Sequence, residues 1–376
     1  MISANASSER PWVTLVMDGA TSVRHYGMMS QALQANATAI FANDLQRSEV
    51  RTHATKMYLD TIRRLQLSLR SPRWNDPIVM HTCMIVTLFE VIQSNNPAAA
   101  YPHIRGLAHL IEQKGPHTFV SGLEHRTFRY YRINLFLMNL HDRRPSFLAE
   151  EKWKTIPFSE DCQPKTILEA LVDILVEIPG VLAAIEAMKT GQLGHYALVQ
   201  KGLELAYWVR RLVYDLESWK EAYIWTYPTI CTTPRLHSLS LLELCTLSTE
   251  LIPYKHNLSE ALNCYAAAHL ILARLAHGMA EKSWLVGTVL RQPHSLHDLV
   301  AAITIISERH ISDANTEMVS MMVTGFSLRV AQSTEEVQDP VLFQSIQKLL
   351  ARINREMGRR YNINYSVPKD TQRIEV

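Results

Sequence analysis

The stretch IVMHTCMIVTLFEVIQ, from Ile78 to Gln93, is apolar on nearly all sides when its residues are placed about 100° apart around a helix axis. This pattern predicts a buried helix, because a helix on the surface would carry a polar face. The Asp76-Pro77 step precedes the stretch and Pro97 follows it, and both favour turns. A helix buried in this way requires other elements packed around it, so the sequence predicts a sizeable core.

The segments on both sides of this stretch also have helical periodicity, and most end at proline or glycine. Residues 30–70 predict one amphipathic helix, and the Pro179-Gly180 step predicts a separation between two helices. Strand-like alternation is absent apart from short ambiguous runs such as 11–17. The sequence therefore predicts an all-α chain, a single large domain of roughly ten or more packed helices that could divide into two lobes. The other predicted helices cover 103–114, 122–141, 166–177, 181–189, 197–225, 258–278, 296–310, 315–331 and 340–358.

The predicted domain covers residues 30–360, between a partly ordered N-terminal extension (1–29) and a C-terminal tail (361–376). Inside the domain, Gly106 is expected to allow close packing and Gly115 to cap a helix. Trp153 is expected to anchor the core at a corner of the chain. These residues are predicted to be parts of the scaffold.

Charge and cysteine content exclude several classes of protein. Lysine and arginine number 38 and aspartate and glutamate 36, whereas a nucleic-acid-binding domain would show a basic excess. The five cysteines are too far apart for a zinc finger or ribbon, and they fit reduced thiols inside a cell. The sequence shows neither a signal-peptide core nor an apolar run of about 18 residues, so we expect a protein that is neither secreted nor in a membrane.

Motifs for nucleotide binding, serine hydrolysis and metalloprotease chemistry are absent, as are the aspartate-rich motifs of ordinary terpene cyclases. The chain has 16 histidines, of which His294 and His297 are three residues apart. The dipeptides His141-Asp142 and His297-Asp298 also occur, but no metal-binding spacing accompanies them. These histidines are interpreted as surface or capping residues, and the sequence predicts no bound metal and no cofactor.

The segment AYWVRRLVYDLESWKEAYIWTYP (206–228) has the densest mixture of aromatic and charged residues. Arg211, Asp215 and the Glu217–Lys220 pair lie three or four residues apart and predict a cation–carboxylate–cation ladder along one helix face. The ladder is either a set of ion pairs on a solvated face, or a site that holds an anionic group and supplies catalytic residues. Neighbouring aromatic side chains would then bind a hydrophobic ligand or a cationic intermediate; the candidates are Trp208, Trp219, Tyr223 and Trp225.

Several short motifs follow one another in a recognisable order. Leu88-Phe89-Glu90-Val91 ends one helix, the pattern of His103, Arg105 and Gly106 opens the next, and an RRPSFL…W…IP corner runs from Arg143 to Pro157. YAAAHLILARL and GFSLRVAQS follow nearer the C-terminus. Across roughly 30–360 the chain resembles the fungal-specific transcription factor domain, which is the C-terminal regulatory region of fungal zinc-cluster transcription factors.

The resemblance implies a regulatory protein that acts on fungal gene expression, in particular that of secondary metabolism. The family's six-cysteine zinc cluster and basic arm are not seen here, since the first cysteine is Cys83. We therefore expect no direct DNA binding, but action in the nucleus through protein partners or a small hydrophobic ligand, with dimerisation left open.

The family implies no catalytic residues. The alternative hypothesis is a cytoplasmic enzyme of a secondary-metabolite pathway that reuses the helical scaffold, such as a non-standard Mg²⁺-dependent cyclase acting on an isoprenoid diphosphate.

Overall fold

The fold is all-α throughout the part of the chain that the structure, a computed structural model, describes. The structure describes residues 27–93, 100–159, 164–191, 194–224, 242–243, 256–281, 293–313, 318–334 and 338–361. Helices and short helical turns account for the secondary structure of these residues, and no strand occurs among them. No helix in these ranges is long and apolar enough to cross a membrane. The prediction of an all-α, multi-helix chain is confirmed.

The described chain divides into two compact units. The N-terminal unit comprises the chain up to Met138 together with Glu151–Pro164, and the C-terminal unit comprises Asn139–Glu150 and Lys165–Tyr361. Each unit has its own set of buried apolar side chains.

Six of the described helices begin in the N-terminal unit. Short 3₁₀ turns at Pro72–Asn75, Pro116–Phe119 and Ile156–Phe158 connect or extend them. The last turn of the fifth helix belongs to the C-terminal unit. The helices are α1 (Gly27–Leu45), α2 (Ser48–Leu69), α3 (Pro77–Gln93), α4 (Tyr101–Lys114), α5 (Gly122–Asp142) and α6 (Glu151–Thr155).

The prediction of a single helix over 30–70 is wrong, because two helices, α1 and α2, cover this range and a turn separates them. Gln46 has a φ of 53°, in the left-handed region, which ends an α-helix. The N–H of Arg47 donates to the carbonyl of Ala42 (3.2 Å), and the N–H of Gln46 donates to that of Asn43 (3.3 Å). This pair of bonds is a Schellman motif with glutamine in the position that glycine usually takes, so no glycine marked the break in the sequence.

The buried helix predicted over 78–93 is confirmed as α3, whose buried residues lie on most of its sides. Near it in sequence, Gly115 ends α4 with a φ of 76° and so acts as the predicted cap. Gly106, in contrast, has nothing within 4 Å of the position that a Cβ would take. Its predicted role in close packing is therefore wrong.

His81 on α3 is a buried histidine, with Nε2 3.2 Å from the hydroxyl of Thr127. Burial lowers the pKa of His81 from 6.5 to about 4, an effect that its backbone hydrogen bond to Pro77 only partly offsets. The unfolded chain thus binds a proton between pH 6.5 and 4 that folded His81 does not bind. Stability is therefore lost as the pH falls through this range.

We expect His81 to cost the protein about 3 kcal/mol of stability between pH 7 and pH 4, since each pKa unit corresponds to about 1.4 kcal/mol. Urea unfolding at a series of pH values measures this effect. His81→Gln should flatten the dependence, whereas His53→Gln, at an exposed position of α2, should leave it as it is. Equal slopes in the two variants would contradict the assignment.

The C-terminal unit contains the remaining helices, and α10 lies at its centre, with contacts to α7, α9, α11 and α12. A complete capping box starts α7, in which Thr166 and Glu169 exchange side-chain and backbone hydrogen bonds. The helices are α7 (Ile167–Leu175), α8 (Ile178–Thr190), α9 (His195–Trp219), α10 (His256–Glu281), α11 (Leu296–Ser312), α12 (Met318–Gln332) and α13 (Pro340–Tyr361).

The Pro179-Gly180 step does not separate two helices, as the sequence predicted, but lies in the first turn of α8. Proline is tolerated there because the first N–H groups of a helix have no partner within it. Gly180 is needed for close approach, since a Cβ at this position would lie 2.9 Å from the Trp208 ring. The two residues thus position α8 against α9.

Gly180→Ala is expected to lower the free energy of unfolding by about 1 kcal/mol or more, because the added methyl overpacks the contact with Trp208. Gly106→Ala makes the same change inside α4, where a Cβ meets nothing. It should raise stability by about 0.5–1 kcal/mol, because alanine loses less backbone entropy on forming a helix. Thermal unfolding of both variants tests the opposite signs, and a shift of the same sign in both would contradict the close-packing role of Gly180.

Candidate functional site

The candidate site is a group of five polar side chains in the C-terminal unit, centred on Glu217 near the end of α9. Lys220 lies one turn further on, in a π-helical turn (Lys220–Ile224) that continues α9. Its ammonium donates to Glu217 Oε2 at 2.5 Å. This pair fixes the carboxylate and leaves its other oxygen directed at the remaining members of the site, which are Tyr265, His269 and His294.

Helix α10 contributes Tyr265 and His269, which are four residues apart and therefore lie on one side of the helix. The hydroxyl of Tyr265 donates to Glu217 Oε1 at 2.5 Å. His269 Nε2 lies 3.1 Å from the same oxygen, and its ring packs edge-on against Tyr265, with 4.6 Å between ring centroids. The single oxygen Oε1 is thus the meeting point of two side chains from one helix.

His294 reaches the site from just before α11. Ser295 caps that helix by accepting a hydrogen bond from the N–H of Asp298 (3.0 Å), which places His294 outside the helix. His294 Nε2 lies 3.0 Å from Glu217 Oε1 and 2.8 Å from the Tyr265 hydroxyl. Three elements that are distant in sequence therefore bring polar atoms to one point.

His269 is fully enclosed, with none of its side chain exposed. Its contact with Glu217 is close enough for an ion pair but lacks the direction of a hydrogen bond. Within the described residues, neither of its ring nitrogens has a hydrogen-bond partner. Burying unpaired polar atoms is costly, so this histidine requires a functional or structural explanation.

The site is partly open to solvent on one side. The side chains of Glu217, Lys220 and His294 are 26%, 14% and 13% exposed, whereas Tyr265 and His269 are fully buried. The first three therefore form the outer side of the site and the last two its inner wall.

Electrostatics keep the site in a defined charge state. Burial alone would raise the pKa of Glu217, but the four polar side chains around it outweigh burial and hold that pKa well below its usual range. Burial lowers the pKa of His269, and the nearby Glu217 offsets only part of this effect. At neutral pH the site thus presents an ionised carboxylate beside a neutral imidazole, which are the forms that bind metal ions.

Two of the aromatic residues predicted for a ligand site border this group. Trp219 is buried and stacks on Tyr265, with ring centroids 5.6 Å apart, and Tyr223 stacks on Trp219 at 6.3 Å. The indole N–H of Trp219 donates to the carbonyl of Ile167 at 3.1 Å, which ties α9 to the start of α7. These rings support the inner wall, since Trp219 holds Tyr265 in place.

The predicted ladder of Arg211, Asp215 and Lys220 divides into two parts. Arg211 is 42% exposed, pairs with Glu177, and has its Nε 4.0 Å from Asp215. Positions 211 and 220 are half a turn apart around the helix at about 100° per residue, so the charges do not share one face. Of the residues in the ladder, Glu217 and Lys220 belong to the site, whereas Arg211 and Asp215 do not.

Trp208 lies with Glu177 as well, since its indole N–H donates to that carboxylate at 3.2 Å. Trp225 lies outside the described residues.

The sequence groups His297 with His294 and interprets both as surface or capping residues. His297 is 56% exposed and lies 3.3 Å from Asp339, so it is a surface residue. His294 is 13% exposed and belongs to the site, so the interpretation is wrong for His294. Tyr265 and His269 are not among the site residues that the sequence predicts, and their four-residue spacing on a buried helix is the signal that could have indicated them.

The arrangement can hold a small polar ligand or a metal ion, because an ionised carboxylate and two imidazoles face one point. Its five residues include no serine, threonine or cysteine nucleophile and no phosphate-binding loop. A scan of known family models, a search of curated proteins and a search of solved structures found no match to this chain.

Proposed function

We propose that this chain is a regulatory protein of the fungal transcription-factor type, and that its C-terminal unit is the part that binds an effector. The observation that carries the proposal is the site around Glu217, with the fully buried ring of His269 at its inner wall, neither nitrogen of which has a hydrogen bond of normal geometry within the described residues. The order of motifs along the chain and the all-α fold support the choice of protein class.

The enclosure of the site favours a small effector over a macromolecule. Tyr265 and His269 cannot contact a protein or nucleic-acid surface, because they are fully buried. An ion or a small molecule could reach them, and binding there would connect α9, α10 and the start of α11. A ligand that joins separate helices stabilises one arrangement of them, which is the physical basis of a sensor.

The near balance of 38 basic and 36 acidic residues leaves this chain without the basic excess that DNA binding requires. We therefore propose that it changes gene expression through protein partners. The described contacts give the cyclase hypothesis no comparable support. Arg211 and Asp215 form an exposed ion pair, and about nine residues of helix, or roughly 13 Å, separate Arg211 from Lys220.

Deletion of the gene in the organism that encodes it tests the proposal. Transcripts of the neighbouring genes and the metabolites of the same cultures should be measured together. We expect the transcripts to change, with a matching change in the metabolites that those genes produce. Unchanged transcripts with one accumulated intermediate would contradict a regulator and favour an enzyme.

A further inference from the structure

Three atoms that commonly bind metal ions converge in the site around Glu217. Glu217, His269 and His294 each place one possible ligand atom within 4.8 Å of those of the other two. Glu217 Oε1 is 3.1 Å from His269 Nε2 and 3.0 Å from His294 Nε2. Ligand atoms bound to one ion at about 2.0–2.2 Å lie roughly 3–3.5 Å apart, so the spacing is close to that of a coordination sphere.

An independent observation concerns His269. A fully buried imidazole normally has at least one hydrogen bond, yet within the described residues neither nitrogen of this ring has one. Its Nε2 lies beside Glu217 Oε1 without the direction of a hydrogen bond, and this is the atom that a metal ion would bind. Coordination would supply Nε2 with the directed interaction that the protein itself does not provide for this nitrogen.

We propose that Glu217, His269 and His294 bind one divalent transition-metal ion of the zinc type. The second part of this inference is that this ion is the effector, and it rests on the regulatory function proposed above. Two imidazoles and one carboxylate form a ligand set of known zinc and iron sites. Magnesium and calcium prefer sites made entirely of oxygen ligands, so they fit less well. The fold alone assembles this set, which explains why the sequence predicted no metal.

Lys220 and Tyr265 position the ligands. Lys220 binds Oε2 of Glu217 and so leaves Oε1 for the ion. The Tyr265 hydroxyl lies 2.5 Å from Oε1 and 2.8 Å from His294 Nε2, so among the described residues its oxygen is a possible fourth donor. The positive charge of Lys220 works against a cation, so we expect binding in the micromolar range, weaker than that of a structural zinc site.

Calorimetric titration of the chelator-treated full chain with ZnCl₂ tests the proposal. We expect one ion bound per chain, with no displacement by excess MgCl₂. Titration with CoCl₂ gives a second readout, because the visible absorption of Co²⁺ reports the type and number of its ligands. A set of nitrogen and oxygen ligands should appear, without the intense near-ultraviolet band of a thiolate.

Two ligand variants and one matched control decide the location of the site. His269→Gln and His294→Gln should each weaken zinc binding at least tenfold. His297→Gln, which removes an exposed histidine three residues from His294, should leave it unchanged. Circular dichroism checks that each variant is folded, and His294→Gln carries the test if His269→Gln fails to fold.

Absence of saturable zinc binding, or binding unaffected by His294→Gln, would overturn the proposal. The titration is independent of any transcriptional readout. Zinc binding at this site with unchanged transcripts in the deletion strain would support the metal site and contradict the regulatory function. Changed transcripts without zinc binding would support the regulatory function and contradict the metal site.

Discussion

Glu217→Gln is expected to lower the free energy of unfolding by about 3 kcal/mol, the lower end of the range for breaking a largely buried ion pair. The substitution keeps the shape of the side chain but removes the charge that binds Lys220 at 2.5 Å and accepts the Tyr265 hydrogen bond. It also places an N–H₂ group where a carboxylate oxygen accepted a hydrogen bond, so that this group and a neighbouring donor face each other without an acceptor. Urea unfolding followed by circular dichroism measures the loss.

Asp215→Asn is the matched control, because it neutralises a carboxylate two residues away on the same helix. Asp215 forms an exposed i,i+4 contact with Arg211 at 4.0 Å, so the loss should be at most about 1 kcal/mol. Similar losses in the two variants would show that the group around Glu217 has no special role in holding the C-terminal unit together.

Trp153→Ala is expected to lower the free energy of unfolding by about 3–5 kcal/mol, the usual range for removing a buried aromatic side chain. Trp153 is 1% exposed, and its ring centroid lies 6.0 Å from that of Phe119 and 5.6 Å from that of Phe128. Alanine would leave a cavity among these rings, because packed aromatic neighbours can fill it only in part. Chemical unfolding again provides the measurement.

Trp74→Ala provides the comparison, since Trp74 is a partly exposed tryptophan of the same unit, in the turn Pro72–Asn75. Its loss should be below about 1.5 kcal/mol, because less apolar surface leaves the interior. A Trp153→Ala variant as stable as Trp74→Ala would show that the predicted anchor of this corner lies elsewhere.

The sequence was sufficient for the helices because their apolar periodicity is local. Helix α3 needed only its own residues to be predicted as buried. The errors arose where local signals were ambiguous. Gln46 adopts a left-handed conformation that glycine usually signals, and Pro179-Gly180 is a helix start that resembles a helix stop.

The candidate site was predicted only in part because its members are distant in sequence. The dense segment 206–228 predicts the Glu217–Lys220 pair and Trp219, which lie in or beside the site. Tyr265 and His294, however, lie 48 and 77 positions from Glu217, and no local pattern connects them. His294 was grouped with His297 by spacing, but the start of α11 separates the two.

The most direct test replaces the gene in its host with a His294→Gln allele or a His297→Gln allele, at matched protein levels. Transcripts of the neighbouring genes are then measured in both strains. We expect His294→Gln to reproduce the transcript changes of the deletion strain, because it removes one proposed ligand from the site. His297→Gln should behave like the unmodified protein, since His297 is exposed and lies outside the site. Transcripts unaffected by His294→Gln would contradict the claim that this site performs the function.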